Sequence, residues 1–193
     1  MRRALALVGI VTGCWTHHLA GQLPPAPPPA PLLQRLVGQW TMTGTVRTRP
    51  VTYRLEAAWV LQRRFLELHM QDVANMPPRY EARVFIGPDT LPGRVLAHWL
   101  DNFGAAYSVP PATGRLAGDS LTLDFPYPGG AFHDTFVYDP ETETWTIHRD
   151  AADGAGGWKR FAEYRATRRR SAARHDDHPY GRTDSSPGRK HAE

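Results

Sequence analysis

The chain reads as an all-β protein made of many short antiparallel strands. Three observations predict this. Across residues 37–167 apolar side chains recur every second position, not every 3.6. Turn signals cut the runs at close intervals: Gly87-Pro88-Asp89, Leu91-Pro92-Gly93, Thr113-Gly114, Ala117-Gly118-Asp119, Pro128-Gly129-Gly130, Asp139-Pro140 and Asp153-Gly154. The composition, 41% hydrophobic and 22% charged over 193 residues, fits a globular domain with spare chain and excludes wholesale disorder. Strands in such regular order suggest a closed up-and-down barrel or a sandwich. A barrel has the advantage of leaving no free sheet edge.

The elements follow in order. Met1, Arg2 and Arg3 give a positive start, and residues 4–11 form a short apolar stretch. That is far below the ~18–20 residues needed to span a bilayer, so residues 1–14 read as a signal peptide and predict export to the cell envelope. No other stretch is apolar enough to span, which excludes a polytopic membrane protein. Val11-Thr12-Gly13-Cys14 resembles the lipobox of bacterial lipoproteins, which implies a lipidated Cys14 and attachment to a membrane. The alternatives are a secretory signal cut near Ala20, giving a periplasmic or secreted protein, and an unprocessed start. Cys14 is the only cysteine, so an internal disulfide framework and a cysteine-based zinc finger are excluded. Residues 15–34 hold Pro24, Pro25, Pro27, Pro28, Pro29 and Pro31, a stiff spacer. Residues 31–36 start a short helix ahead of the first strand.

Strands are expected near 37–46, 51–60, 63–71, 79–87, 94–101, 104–109, 112–117, 120–127, 131–138, 143–149 and 157–167, with mergers leaving about ten. The clearest alternation sets Tyr80, Ala82, Val84 and Ile86 against Arg79, Glu81 and Arg83. Leu121, Leu123, Phe125 and Tyr127 repeat it. Phe132, Asp134, Phe136 and Tyr138 share a face, opposite His133, Thr135 and Val137. Residues 169–193 carry no apolar period and read as a disordered basic tail.

Several segments carry a resemblance. Gly38-Gln39-Trp40 opens the first strand as Gly-x-Trp does in lipocalins and other calycins. Val60-Leu61-Gln62-Arg63-Arg64-Phe65-Leu66-Glu67-Leu68, His98-Trp99-Leu100-Asp101-Asn102-Phe103-Gly104 and the closing Glu163…Arg168 resemble a bacterial calycin-like family of unknown function. The resemblance covers about residues 35–168. It departs from the pattern at Gln62-Arg63, where a glycine pair is more usual. It implies a closed or nearly closed antiparallel barrel of about 8–10 strands with a cup-like interior, and no established reaction. It also implies a structural pair at the closed end, Trp40 under the guanidinium of Arg168. Barrels of about eight or more strands can hold one small ligand, so the function expected is binding of a small apolar or amphipathic molecule.

The candidate ligand-binding residues are Trp99, His98, Asp101 and Asn102. His98 shares a strand face with Leu96 and Leu100, which reads first as a hydrogen-bonded core histidine. Asp101 and Asn102 either orient a ligand's polar group at the mouth or simply make a strand-end turn to Gly104. Glu67 and His69 could form an acid–base pair, but Leu66, Leu68 and Met70 look like the inward set, which puts Glu67 and His69 outside and argues against catalysis. The body histidines show no His-x-x-x-His or His-Glu-x-x-His spacing, so neither metal nor cofactor is expected. The alternative is haem: nitrobindins are calycin-like barrels that bind it through a histidine near the C-terminal strands, and His148 is the best-placed candidate. Its parity opposes Trp145 and Ile147, so it points outward if they point inward. No Gly-x-Ser-x-Gly elbow, P-loop or Rossmann glycine pattern occurs. An enzyme using the cup and a ligand-free envelope module are the remaining alternatives.

The net charge of +4 is no sign of nucleic-acid binding. Residues 32–166 hold 14 Lys+Arg against 15 Asp+Glu, and the excess lies in the two ends. A nucleic-acid-binding fold carries its basic stripe on the fold itself.

Overall fold

A computed structural model describes residues 28–169. Helix α1 (Pro31–Leu36) precedes ten strands: β1 (Gly38–Val46), β2 (Arg49–Val60), β3 (Phe65–Asp72), β4 (Glu81–Pro88), β5 (Arg94–Asp101), β6 (Ala112–Ala117), β7 (Ser120–Phe125), β8 (Phe132–Asp139), β9 (Thr144–Ala152) and β10 (Trp158–Arg168). Each strand pairs with the next, and β10 returns to β1, so the sheet is a closed barrel. Every pairing is antiparallel. Closure runs from Trp40 opposite Arg168 to Val46 opposite Ala162. This decides between barrel and sandwich. The leader, Cys14 and the first part of the linker, like the tail from residue 170, lie outside the described residues.

The period of two becomes an inside and an outside. Leu66, Leu68 and Met70 of β3 are buried, while Glu67 pairs across the outer face with Arg83, and His69 with Glu81 at 2.7 Å. Ala82, Val84 and Ile86 of β4 and Leu121, Leu123 and Phe125 of β7 fill the interior.

Three details depart from expectation. Residues 104–109 are not a strand. Ala105–Tyr107 form a 3₁₀ turn between Gly104, at φ 100°, and Pro110-Pro111, which have no N–H to give a ladder. The second departure is the face of His98. Leu96, His98 and Leu100 are exposed, and Val95, Ala97 and Trp99 are the inward set. Register decides it: Trp99 lies opposite Val84, and Ala97 opposite Ile86, and directly opposed residues share a face. Since Val84 and Ile86 are fully buried, Trp99 and Ala97 must be inside. The third concerns the boundary. Ahead of residue 35, Leu32 and Leu33 of α1 are buried with Leu36, and Ala30 packs against the core.

Helix α1 stoppers one end of the barrel. The Trp40 indole N–H donates to Leu36 O at 2.7 Å, and the Trp59 indole N–H to Gln34 Oε1 at 2.9 Å. Arg168 lies over Trp40, Cζ to ring centroid 4.2 Å, and donates to Val37 O at 3.0 Å and Arg35 O at 3.2 Å. Gly38 sits at φ 132°, and a Cβ there would run into the Arg168 guanidinium. The Gly-x-Trp motif thus leaves room for the arginine that lies over its tryptophan. The loops joining β1–β2, β3–β4, β5–β6, β7–β8 and β9–β10 gather at the other end, over which the described residues place no α-helix.

Candidate functional site

The barrel interior is two layers. Toward α1 it is apolar: Met42, Leu55, Leu68, Phe136 and Ile147 face one another. Toward the loops it is ringed by Tyr53, Met70, Tyr80, Trp99, Asp134, Arg149 and Tyr164. Between them is a cavity of about 20 Å³, enough for about one water molecule.

Arg149 is the centre of the polar layer. It reaches the interior because β9 alternates: Trp145, Ile147 and Arg149 point in, and His148 points out. Its Cζ lies 4.1 Å from the Trp99 ring centroid, 4.7 Å from Phe132 and 5.8 Å from Phe125. Three aromatic faces therefore take the place of hydration around the guanidinium. Asp134 is the register partner of Arg149 across β8 and β9, and is 1% exposed. Arg149 Nε and Asp134 Oδ1 are 3.3 Å apart. The pair is close but poorly aligned, and both atoms lack a hydrogen-bond partner in the structure, as does the Tyr127 hydroxyl. Buried charges of this kind cost stability unless something completes their bonding.

The electrostatics follow. Burial pushes the Asp134 carboxyl up to about 6, against the pull of Arg149. Burial opposes the charge on Arg149, but Asp134 and the tyrosines Tyr80, Tyr164 and Tyr127 outweigh it and hold its pKa above the ordinary value. Burial raises Tyr127 to about 12 and raises Tyr53, Tyr80 and Tyr164 as well. These hydroxyls are neutral donors and acceptors at any physiological pH. The ring stack Tyr164–Tyr53–Tyr80–Phe103 continues at centroid spacings of 5.8, 5.6 and 5.9 Å from the cup to the loops.

The sequence-derived candidates distribute as follows. Trp99 is inside, its indole N–H donating to Tyr80 Oη at 3.1 Å. Asp101 is half-buried at the end of β5 and accepts from Phe103 N at 3.1 Å; burial raises its pKa. Asn102 staples the neighbouring loop, donating from Nδ2 to Arg79 O at 3.0 Å, and is exposed. His98 is on the outer wall. His148 is there too, 3.7 Å from Glu163 Oε2, and so are His69 beside Glu81 and His133, 2.5 Å from Asp124. Among the described residues no histidine faces the cup, so the cup presents no imidazole to a haem iron. Trp99 lines the cavity, and Asp101 does not. The sequence expectation does not include Arg149, Asp134 or the tyrosines as site residues, although the alternation puts Asp134 on the face of Phe136 and Tyr138. The signal available was parity: Arg149 is two residues from Ile147 and four from Trp145.

No protein-family model matches the chain, and no curated protein matches it. Among solved structures, the crystal structure of Rv2717c from M. tuberculosis is similar, with a TM-score of 0.51 over 73% of this chain and 99% of that one. The two are 18% identical, and the likeness is one of fold.

Proposed function

We propose that the protein is an exported, calycin-like binding barrel that holds one small amphipathic molecule, with an anionic or strongly polar head at Arg149. The observation that carries this reading is the incompletely bonded Arg149–Asp134 pair, 3.3 Å apart above an apolar floor. A barrel serving only as a stable body is better filled with apolar side chains, since replacing a buried pair by hydrophobic groups is often neutral or stabilising. A pocket with an apolar lining and a few convergent polar groups is the usual form of a small-molecule site. The cavity of about 20 Å³ means that a ligand enters by moving side chains, and Tyr53, Tyr80 and Tyr164 form the ring it would displace. The positive start and apolar residues 4–11 support export, and Val11-Thr12-Gly13-Cys14 supports lipidation as its route to the envelope.

The test is titration of the full chain with anilinonaphthalene sulfonate, an apolar fluorophore with an anionic head. The expected result is saturable one-to-one enhancement, weakened tenfold or more in the double variant Asp134→Leu/Arg149→Met. The double variant removes both members of the buried pair together, and its far-ultraviolet circular dichroism is matched to that of the native chain before titration. Equal binding by the two proteins, or no saturable signal in either, would overturn the reading.

A further inference from the structure

We propose that the open end of the barrel docks on an anionic lipid surface, mouth first. This goes beyond ligand binding and stands whether or not the cup is filled. The loops at this end carry exposed apolar side chains: Val73 and Met76 between β3 and β4, and Phe103, Tyr107 and Val109 between β5 and β6. Met76 is 93% exposed, and Phe103 and Tyr107 are 66% each. Phe103 and Tyr107 stack edge to face at 6.5 Å, at the outer end of the aromatic row that starts in the cup. Residues 73–78, 102–111 and 126–131 contain no charged side chain at all. Contiguous apolar surface of this kind marks a protein or membrane contact.

Charge decides between those partners. Three acidic residues of this end are turned back into their own loops, while Glu81 and Asp124 pair with His69 and His133 on the outer wall. Asp72 accepts from Ala74 N at 2.9 Å and Asn75 Nδ2 at 2.6 Å; Asp153 accepts from Ala155 N and Gly157 N at 2.8 Å; Asp101 accepts from Phe103 N. The basic residues Arg47, Arg49, Arg79 and Lys159 make no ion pair among the described residues. Apolar loop tips set among the exposed cations Arg47, Arg49, Arg79 and Lys159 match a bilayer with negative headgroups, where the tips enter the interface and the cations meet the phosphates. The opposite end also exposes apolar side chains, Leu61 and Leu91, in two separate turns, but it differs in charge. Its β8–β9 turn carries Asp139, Glu141 and Glu143, and Asp119 lies in the β6–β7 turn.

The experiment places an environment-sensitive nitrobenzoxadiazole label at one end or the other of the full chain. Met76→Cys and Leu61→Cys are made separately in a Cys14→Ser background; Leu61 is 66% exposed at the α1 end. Each protein is mixed with vesicles of phosphatidylcholine, with and without phosphatidylglycerol. The label at position 76 is expected to brighten severalfold and shift to the blue with the anionic vesicles, and the label at 61 to stay unchanged. Co-sedimentation should fall about fivefold in Arg49→Gln, the effect of one cation near such a surface, and fall further at raised salt. The double variant Phe103→Ser/Tyr107→Ser, altered only at exposed positions, should lose most of the binding. The proposal is overturned by sedimentation with no response at 76, which would point to attachment through the N-terminal segment. It is equally overturned by responses of the same size at both ends, or by no binding to either vesicle.

Discussion

Asp134 and Arg149 are not equivalent halves of one pair. Removing Asp134 alone leaves a guanidinium that cannot shed its charge. Removing Arg149 alone leaves a carboxyl that can take up a proton. Breaking a buried pair costs about 3–5 kcal/mol when the remaining charge persists. Asp134→Ala should therefore destabilise by about that amount, and Arg149→Met by less, as read from denaturant midpoints at neutral pH. The carboxyl also sets a pH dependence of unusual sign. Its folded pKa of about 6 lies above its ordinary value. Between these two values the folded chain keeps a proton that the unfolded chain has released. Its contribution is full below the ordinary carboxylate range and is lost as pH rises toward about 6, a difference of roughly 3 kcal/mol. Asp139 and Asp153, lowered by the hydrogen bonds their carboxylates accept, act in the opposite direction. Subtracting the stability–pH curve of Asp134→Leu/Arg149→Met from that of the native chain isolates the Asp134 slope. A carboxyl carbon resonance for Asp134 titrating near 6 would be the direct check.

At the scale of elements, the β2–β3 turn shows where the chain is strained. Leu61, Gln62 and Arg63 all have positive φ, at 49°, 57° and 64°. Side chains with a Cβ pay about 1–2 kcal/mol each for that region. Gln62→Gly and Arg63→Gly should each stabilise the fold by about 0.5–1 kcal/mol, the reverse of the usual glycine effect; calorimetric midpoints test it. Most elements were legible because one face of every strand is packed and the other is wet. The failures have the same origin. Around β5 both faces carry apolar residues, Val95, Ala97 and Trp99 inside and Leu96 and Leu100 outside. Alternation alone then cannot choose a face, and only the pairing with β4 does. The Ala-Ala-Tyr turn after β5 looked like a strand because its boundary is set by prolines rather than by hydropathy. The site was harder to read than the fold. A charged residue in an alternating strand is assigned to solvent by default, and Arg149 is the residue for which that default fails.

The molecule as a whole depends on its last strand. Ten strands close only when β10, at the far end of the chain, reaches β1. Without β10 the barrel would present two unpaired edges, on β1 and on β9, and would lose the Arg168 contact with Trp40. Ending the chain after Asp153 should therefore give an aggregating product, because open edges recruit other strands. Light scattering and far-ultraviolet circular dichroism read this directly. The long sequence separation of the closing pair also predicts folding in milliseconds to seconds rather than microseconds, measurable by stopped-flow fluorescence of the buried tryptophans.

Closure by neighbouring first and last strands has a further consequence for engineering. The chain enters β1 at Gly38 and leaves β10 at Arg168, and Arg169 N donates to Gln39 O at 2.8 Å. Entry and exit lie side by side on the α1 pole. A linker that keeps α1 can join residue 169 to the segment ahead of Pro31, and new termini can be opened at the Gly118 turn, where an added Cβ would meet nothing within 4 Å, to give a circular permutant with the same ten pairings. Cargo fused next to residue 28 or residue 169 would ride on the α1 pole and leave the opposite pole clear.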